Sequence, residues 1–241
     1  MPLTGKTIFI TGAARRLGKA AALACANEGA DLILHFNSSL QEINETCEQV
    51  QLLGRKCWTV QANLSSPDEI QNLTHQLLNL PPLYALINNA SIFKSINMQG
   101  TSLEDWDQHM MTNLTAPFLL IQNFAEHYSL DEPGRVINLV DWRALRPGKD
   151  HFPYTISKAG LVALTRASAL ALAPRITVNA IALGAILPPE NEPENNNILR
   201  HVPLQRWSTL DEFTATVLFL LQGPSYITGE TIHLDGGRHL V

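Results

Sequence analysis

Tyr154 and Lys158 stand four residues apart in Tyr154-Thr155-Ile156-Ser157-Lys158, and on a helix that spacing puts the phenol and the ammonium on one face. An ammonium near a phenol favours the phenolate and draws its pKa from about 10 toward neutrality, which would make Tyr154 a usable general acid. Asp141 lies 13 residues before Tyr154. An ionised carboxylate only accepts hydrogen bonds, so it cannot donate to a carbonyl oxygen and would repel the alkoxide that grows as a ketone is reduced. Beside a C=N bond the same group accepts from a tyrosine or a ring N–H and helps route a proton to nitrogen as hydride reaches carbon.

A second constellation sits near the start, in Thr11-Gly12-Ala13-Ala14-Arg15-Arg16-Leu17-Gly18-Lys19. A small-residue turn between a first strand and its helix lets backbone N–H groups and the helix N-terminus approach a pyrophosphate. On its own the turn reads equally well as a tight βα connection that needs Gly12 for its backbone angles. A cofactor with a plain ribose diol calls for Asp or Glu about 20 residues on. That region instead reads His35-Phe36-Asn37-Ser38-Ser39, with no acid before Glu42. Without the carboxylate a 2′-phosphate is not repelled, and Arg15, Arg16 and Lys19 add local positive charge, so NADPH is favoured over NADH. Within this group Arg15 reads as a solvated charge and Arg16 as the ligand.

These residues need a scaffold that brings them together. Seven apolar or β-branched runs begin at Thr7, Asp31, Trp58, Tyr84, Arg135, Ile176 and Thr231, with segments of helical period between them. That alternation predicts one α/β domain over 1–241, a doubly wound, Rossmann-type fold with a seven-stranded, mostly parallel sheet covered on both faces. Strand C-terminal ends in such sheets line the ligand crevice, which brings in Asn88-Asn89-Ala90-Ser91 and Asn113. Capping boxes are expected at Ser66–Glu69, Thr101–Glu104 and Thr209–Glu212. Ile43, Cys47, Val50 and Leu53 form one helical stripe. The Ala- and Leu-rich segment 159–173 predicts a helix packed on two sides, one of them against another subunit. Residues 187–197, rich in Pro, Glu and Asn, read as a mobile loop over the site.

Composition excludes other classes. The 241 residues are 45% hydrophobic and 16% charged, with 17 Lys+Arg against 22 Asp+Glu and a net charge of −5. That rules out a disordered chain and speaks against nucleic acid as a partner. With no apolar run of membrane length and no signal-like start, a soluble cytoplasmic protein is expected. Cys25, Cys47 and Cys57 are expected to be reduced and packed as filler. No metal site is expected, and His35, His109, His127 and His151 read as ordinary polar residues.

The turn, Asn89-Ala90, Tyr154/Lys158 and the terminal Leu234-Asp235-Gly236-Gly237, in this order, resemble the short-chain dehydrogenase/reductase family over essentially the whole chain. The resemblance implies that Tyr154 is the proton donor, that Lys158 holds the nicotinamide ribose and tunes Tyr154, and that Asn113 orders a proton-relay water. It also implies cofactor contacts from Gly12, Arg16, Leu17, Gly18, Phe36, Asn37, Ser38, Asn89, Ala90, Ser91, Gly184 and Ile186. Asn63 and Leu64 would meet the adenine.

The chain departs from the general pattern at three places. Arg16 replaces the second glycine of the turn, Asp141 replaces the usual serine, and Ala182-Leu183-Gly184 replaces Pro-Gly. The first two, Phe93 soon after Asn-Ala-Ser, and the ending Asp235-Gly236-Gly237-Arg238-His239-Leu240 look like pteridine and dihydromonapterin reductases. Arg16, Ser91, Phe93, Asp141, Tyr154 and Leu187 would then hold a pterin, with Phe93 stacking on it. The implied activity is NADPH-dependent reduction of a dihydropterin such as dihydromonapterin or dihydrobiopterin, and more slowly of dihydrofolate, by a homo-oligomer of the family's usual tetrameric kind. The competing readings are a general carbonyl reductase of the 3-oxoacyl or sugar type, which Asp141 opposes, and a catalytically weak nucleotide sensor, which intact Tyr154 and Lys158 oppose.

Overall fold

The computed structural model describes residues 2–187 and 196–241. Seven strands, β1 (Thr7–Ile10), β2 (Asp31–Phe36), β3 (Cys57–Gln61), β4 (Leu83–Asn88), β5 (Gly134–Asp141), β6 (Ile176–Leu183) and β7 (Thr231–Leu234), form one sheet in the order β3-β2-β1-β4-β5-β6-β7. Every pairing is parallel. All seven expected strands are present.

Side-chain alternation along each strand splits the core into two layers. Ile8, Ile10, Leu32 and Leu34 face one layer with Ala21, Cys25, Phe213 and Val217, whereas Phe9, Ile33 and Leu86 face the other with Ile70, Leu73, Leu120 and Phe124. Helices α1 (Arg16–Asn27), α2 (Leu40–Leu52) and α7 (Leu210–Gln222) therefore cover one side. The opposite side is covered by α3 (Pro67–Leu77), α4 (Leu103–Met110), α5 (Ala116–Glu126) and α6 (Phe152–Leu172). The chain leaves β1 toward β2 and β3, then crosses back so that β4 lies on the other side of β1. The connections after β1 and β4 diverge there and open a crevice at the strand C-terminal ends.

Local signals hold in part. Thr209 and Glu212 form a complete capping box. Ser66 caps α3 by accepting the Glu69 N–H, but the Glu69 carboxylate takes the Asn63 N–H instead of closing the box. The cap of α4 is Ser102, which accepts the Asp105 N–H, one residue later than the expected Thr101. On α2 the buried stripe is Ile43, Thr46 and Val50; the helix ends at Leu52, so Leu53 is exposed. The expected reduced state of all three cysteines is corrected. The chain turns back through Gly54, at φ +75°, from α2 into β3, and this brings Cys47 and Cys57 together as a disulfide with Cα atoms 5.7 Å apart. Only Cys25 is free; it is buried, and burial raises its thiol to about 12.

Helix α6 buries Tyr154, Ser157, Lys158, Leu161 and Thr165 on one face and leaves Ile156 and Leu170 exposed in the single chain. Among the described residues no helix is long and apolar enough to cross a membrane. The loop expected over the site falls mainly on residues outside those described; of it, Leu187 sits at the crevice wall.

Candidate active site

The turn after β1 is tied to the turn after β4. Asn89 Nδ2 donates to the Thr11 and Gly12 carbonyl oxygens at 2.7 and 2.9 Å, and Thr11 Oγ1 accepts the N–H groups of Asn89 and Ala90 at 2.9 and 3.0 Å. Gly12 adopts φ +63°, and a Cβ there would press on the Ala90 backbone at 3.0 Å. Gly18, in the first turn of α1, packs against the Gly12 carbonyl and Asn89, with no room for a side chain. Arg16 occupies the second glycine position and keeps the glycine-like backbone, φ +50°. Its guanidinium reaches the Leu187 carbonyl at 3.5 Å.

His35 completes the turn. Its Nδ1 accepts the Gly12 N–H at 3.1 Å, which leaves the proton on Nε2 to bond the Ala62 carbonyl at 2.9 Å. Burial lowers its pKa to about 4, so the ring is neutral near pH 7. Read from sequence as an ordinary polar residue, His35 instead joins the ends of β1, β2 and β3. Only its place at the end of the second strand marks it in advance.

The crevice holds two joined chambers. The larger, about 650 Å³, is lined by Gly12, Arg16, Leu17 and Gly18 of the turn, Phe36, Asn37 and Ser38 after β2, Asn63 and Leu64 after β3, and Asn89, Ala90 and Ser91 after β4. Arg15 also lines it, with its side chain 56% exposed and 3.7 Å from Glu42. The smaller, about 310 Å³, shares Arg16, Leu17, Asn89 and Ser91 and adds Phe93, Asp141, Tyr154, Lys158, Gly184, Ile186 and Leu187. A long cleft with a helix N-terminus and close-approach glycines at its middle fits an extended dinucleotide. The smaller chamber lies where a second ligand would meet its reactive end.

Asn113 lines neither chamber. It is fully buried in a π-helical turn, Met111–Thr115. Its Oδ1 accepts from Ser91 Oγ at 3.1 Å and the Ile92 N–H at 2.9 Å, and its Nδ2 donates to the Ile92 carbonyl and to Ser157 Oγ, both at 3.0 Å. Its side-chain amide is thus committed to protein groups. It positions the Ser91 loop against α6, while Ser157, not singled out from sequence, passes that link to the Tyr154 carbonyl at 2.7 Å.

Tyr154 and Lys158 share the buried face of α6, as their spacing requires. Lys158 Nζ donates to the Leu139 carbonyl at 2.7 Å and lies 5.8 Å from the Tyr154 ring centre. The Tyr154 hydroxyl donates to Asp141 Oδ2 at 3.2 Å, and Asp141 Oδ1 accepts the Arg143 N–H at 2.8 Å. The expected lowering of the Tyr154 pKa is therefore corrected. Burial and the Asp141 carboxylate hold it well above 10. Burial also raises the Asp141 pKa and lowers that of Lys158 to about 8.

Phe93 is not core: it is 54% exposed and meets the Tyr154 ring edge-on at 4.6 Å. His151, also passed over from sequence, stacks on it at 4.0 Å.

A family profile described as enoyl-(acyl carrier protein) reductase matches residues 12–239. A 3-oxoacyl-[acyl-carrier-protein] reductase of Synechocystis sp. is 32% identical over 240 residues, covering 98% of this chain and 97% of that protein. Among solved structures, FolM alternative dihydrofolate reductase 1 of Brucella canis, complexed with NADP, superposes with a TM-score of 0.93 at 35% identity, over 99% of this chain and 96% of that one. A blue fluorescent protein from a metagenomic library, in complex with NADPH, gives 0.91 at 29% identity over 99% of both chains. A profile match running from residue 12 to residue 239, on a sheet order and a Tyr–Lys site that agree with it, places the chain in the short-chain dehydrogenase/reductase family.

Proposed function

We propose that the protein is an NADPH-dependent reductase of dihydropterins, of the dihydromonapterin or dihydrobiopterin type, with dihydrofolate as a slower substrate. Bound NADPH supplies a hydride to a ring carbon. The single observation that carries the substrate class is the Tyr154–Asp141 bond. A general carbonyl reductase needs donors around a growing alkoxide. Here the residue beside the tyrosine is a carboxylate that accepts a hydrogen bond from the tyrosine hydroxyl. That pair suits a ring nitrogen: Tyr154 protonates it while Asp141 accepts from a neighbouring N–H or amino group. Phe93 offers a flat face at the chamber edge, and Arg16 lies between the two chambers. Lys158 would hold the nicotinamide ribose, and the Asn37–Ser38 segment with Arg15 or Arg16 the 2′-phosphate.

The likeness to the Brucella alternative dihydrofolate reductase supports this reading. The likeness to 3-oxoacyl reductases supports the second one, reduction of a 3-oxoacyl thioester, against which Asp141 stands. The exposed Ile156 and Leu170 of α6 and Phe118 of α5 support a homo-oligomer; the proposal takes it as a tetramer and, separately, places it in the cytoplasm. The test follows NADPH oxidation with a dihydropterin, dihydrofolate and a 3-oxoacyl thioester side by side. Pterin turnover at the highest kcat/KM is expected. Turnover of the thioester alone overturns the proposal, and intact NADPH binding with no turnover favours a nucleotide sensor.

A further inference from the structure

Beside the smaller chamber lies a group of side chains that the proton chemistry does not use. Asp141 ends β5, and the next residue, Trp142, opens a short 3-10 turn, Trp142–Ala144. Two guanidinium groups lie over the Trp142 ring, that of Arg238 at 4.1 Å from its centre and that of Arg143 at 4.9 Å. The Arg143 guanidinium also lies 6.0 Å from the ring centre of Phe93, which lines the chamber.

The placement of Arg238 is built into the fold. Gly236 and Gly237 both take positive φ, +62° and +84°, and reverse the chain after β7. Buried Asp235 fixes that reversal by accepting the N–H groups of Gly237 and His239 and the His239 ring. Asp235 in turn packs against Gly184 in the chamber wall.

Three carboxylates, Asp141, Asp150 and Asp235, lie near Arg238, and each bonds another group. Asp141 is committed to Tyr154 and the Arg143 N–H, and Asp235 to its own turn. Arg143 is paired with Asp150 at 2.9 Å, and that carboxylate is 47% exposed. The Arg238 guanidinium has no hydrogen bond or ion pair among the described residues, and the Nε atoms of both arginines are buried without a partner. An arginine stacked on an indole keeps its fork pre-organised for a planar or tetrahedral anion.

We propose that Arg238 and Arg143 form an anion-accepting subsite at the outer edge of the substrate chamber, taking the carboxylate or phosphate tail of a substrate whose planar head lies inside. The head as a pterin rests on the function proposed above; the subsite itself does not. A dihydropterin with a carboxylate-bearing tail, dihydrofolate, would then be held at both ends, and a tailless dihydropterin at one.

The test compares dihydrofolate with a dihydropterin carrying only a short neutral side chain, in the wild type, Arg238→Gln and Arg238→Lys. In Arg238→Gln the KM for dihydrofolate should rise about tenfold, with kcat unchanged and the KM for the tailless dihydropterin within about twofold. Arg238→Lys, which keeps the charge and loses the fork, should fall between. A rise in KM for both substrates alike, or for neither, overturns the subsite. If the enzyme turns over only 3-oxoacyl substrates, the pterin reading fails. The subsite is then read from a phosphopantetheine thioester, which carries a phosphate, against an uncharged 3-oxoacyl ester. Selective loss on the phosphate-bearing substrate supports it, and equal loss overturns it. With no turnover at all, equilibrium dialysis of dihydrofolate against the tailless dihydropterin decides in the same way.

Discussion

The Tyr154 hydroxyl donates a hydrogen bond to Asp141 across 3.2 Å, and in the proposed chemistry this contact separates the chain from a reductase with a serine at position 141. Asp141→Ser replaces an acceptor by a donor. It should lower kcat/KM for a dihydropterin about 100-fold and create measurable reduction of a short 3-oxoacyl ester. An unchanged preference between the two substrates would show that Asp141 does not select the acceptor.

Tyr154→Phe removes the proton and keeps the ring that meets Phe93. Loss of a general acid should lower kcat by at least about 100-fold. NADPH affinity, measured by fluorescence titration, should stay within about twofold, because the larger chamber is untouched. Near-normal turnover would refute the role of the hydroxyl.

Lys158 imposes a pH dependence with a definite sign. Its pKa falls from the ordinary 10.5 to about 8 in the folded chain because it is buried. Between these values the unfolded chain holds a proton that the native one has released, so stability rises with pH across that window. Below about 8 both states are protonated and the cost of burying the charge is fully present. In the cofactor-free protein, the urea midpoint should rise from pH 8 upward, and Lys158→Met should flatten that slope. Parallel profiles for the two proteins would place the proton elsewhere.

Arg16 combines a charge with a left-handed backbone, φ +50°, and two substitutions separate them. Arg16→Ala and Arg16→Gly both remove the guanidinium, but only glycine relieves the backbone, by about 1 kcal/mol. The glycine variant should melt about 2–4 °C above the alanine one. Both should raise the KM for NADPH by the same factor, and more than that for NADH if Arg16 meets the 2′-phosphate. Equal losses for the two cofactors place the side chain on the pyrophosphate or the substrate.

His35 makes the turn sensitive to acid. With a native pKa of about 4 against an ordinary 6.5, the unfolded chain binds more protons between these values, so stability falls as pH is lowered through them. His35→Ala leaves the Gly12 N–H without its acceptor, which costs about 1–3 kcal/mol and should raise the KM for NADPH. The same variant should lose much of the acid-dependent drop in thermal midpoint between pH 6.5 and 4. An alanine variant with wild-type acid sensitivity would rule out His35 as its source.

The amino-acid order by itself determined the seven strands, the doubly wound class, the glycine turn after β1 and the Tyr154–Lys158 face, because each is written in residues close along the chain. Period-2 and period-3.6 patterns, a proline or serine at a helix start and a glycine in a turn act over one or two turns of backbone. Asp141 and Arg16 were also legible, as departures from a pattern that the neighbouring residues establish.

What depended on tertiary structure is what distant segments do to one another. The order of the sheet decides that His35 meets Gly12 and that Asn113 spends its amide on Ser91, Ile92 and Ser157. It also places Cys47 against Cys57 and stacks His151 on Phe93. The direction of the Tyr154 pKa belongs to the same class. Helical spacing sets Lys158 on the right face, but burial and the distance to each charge decide which one governs the phenol, and Asp141 is the one in contact. Local sequence carries conformation; desolvation and charge proximity exist only once the strand ends converge.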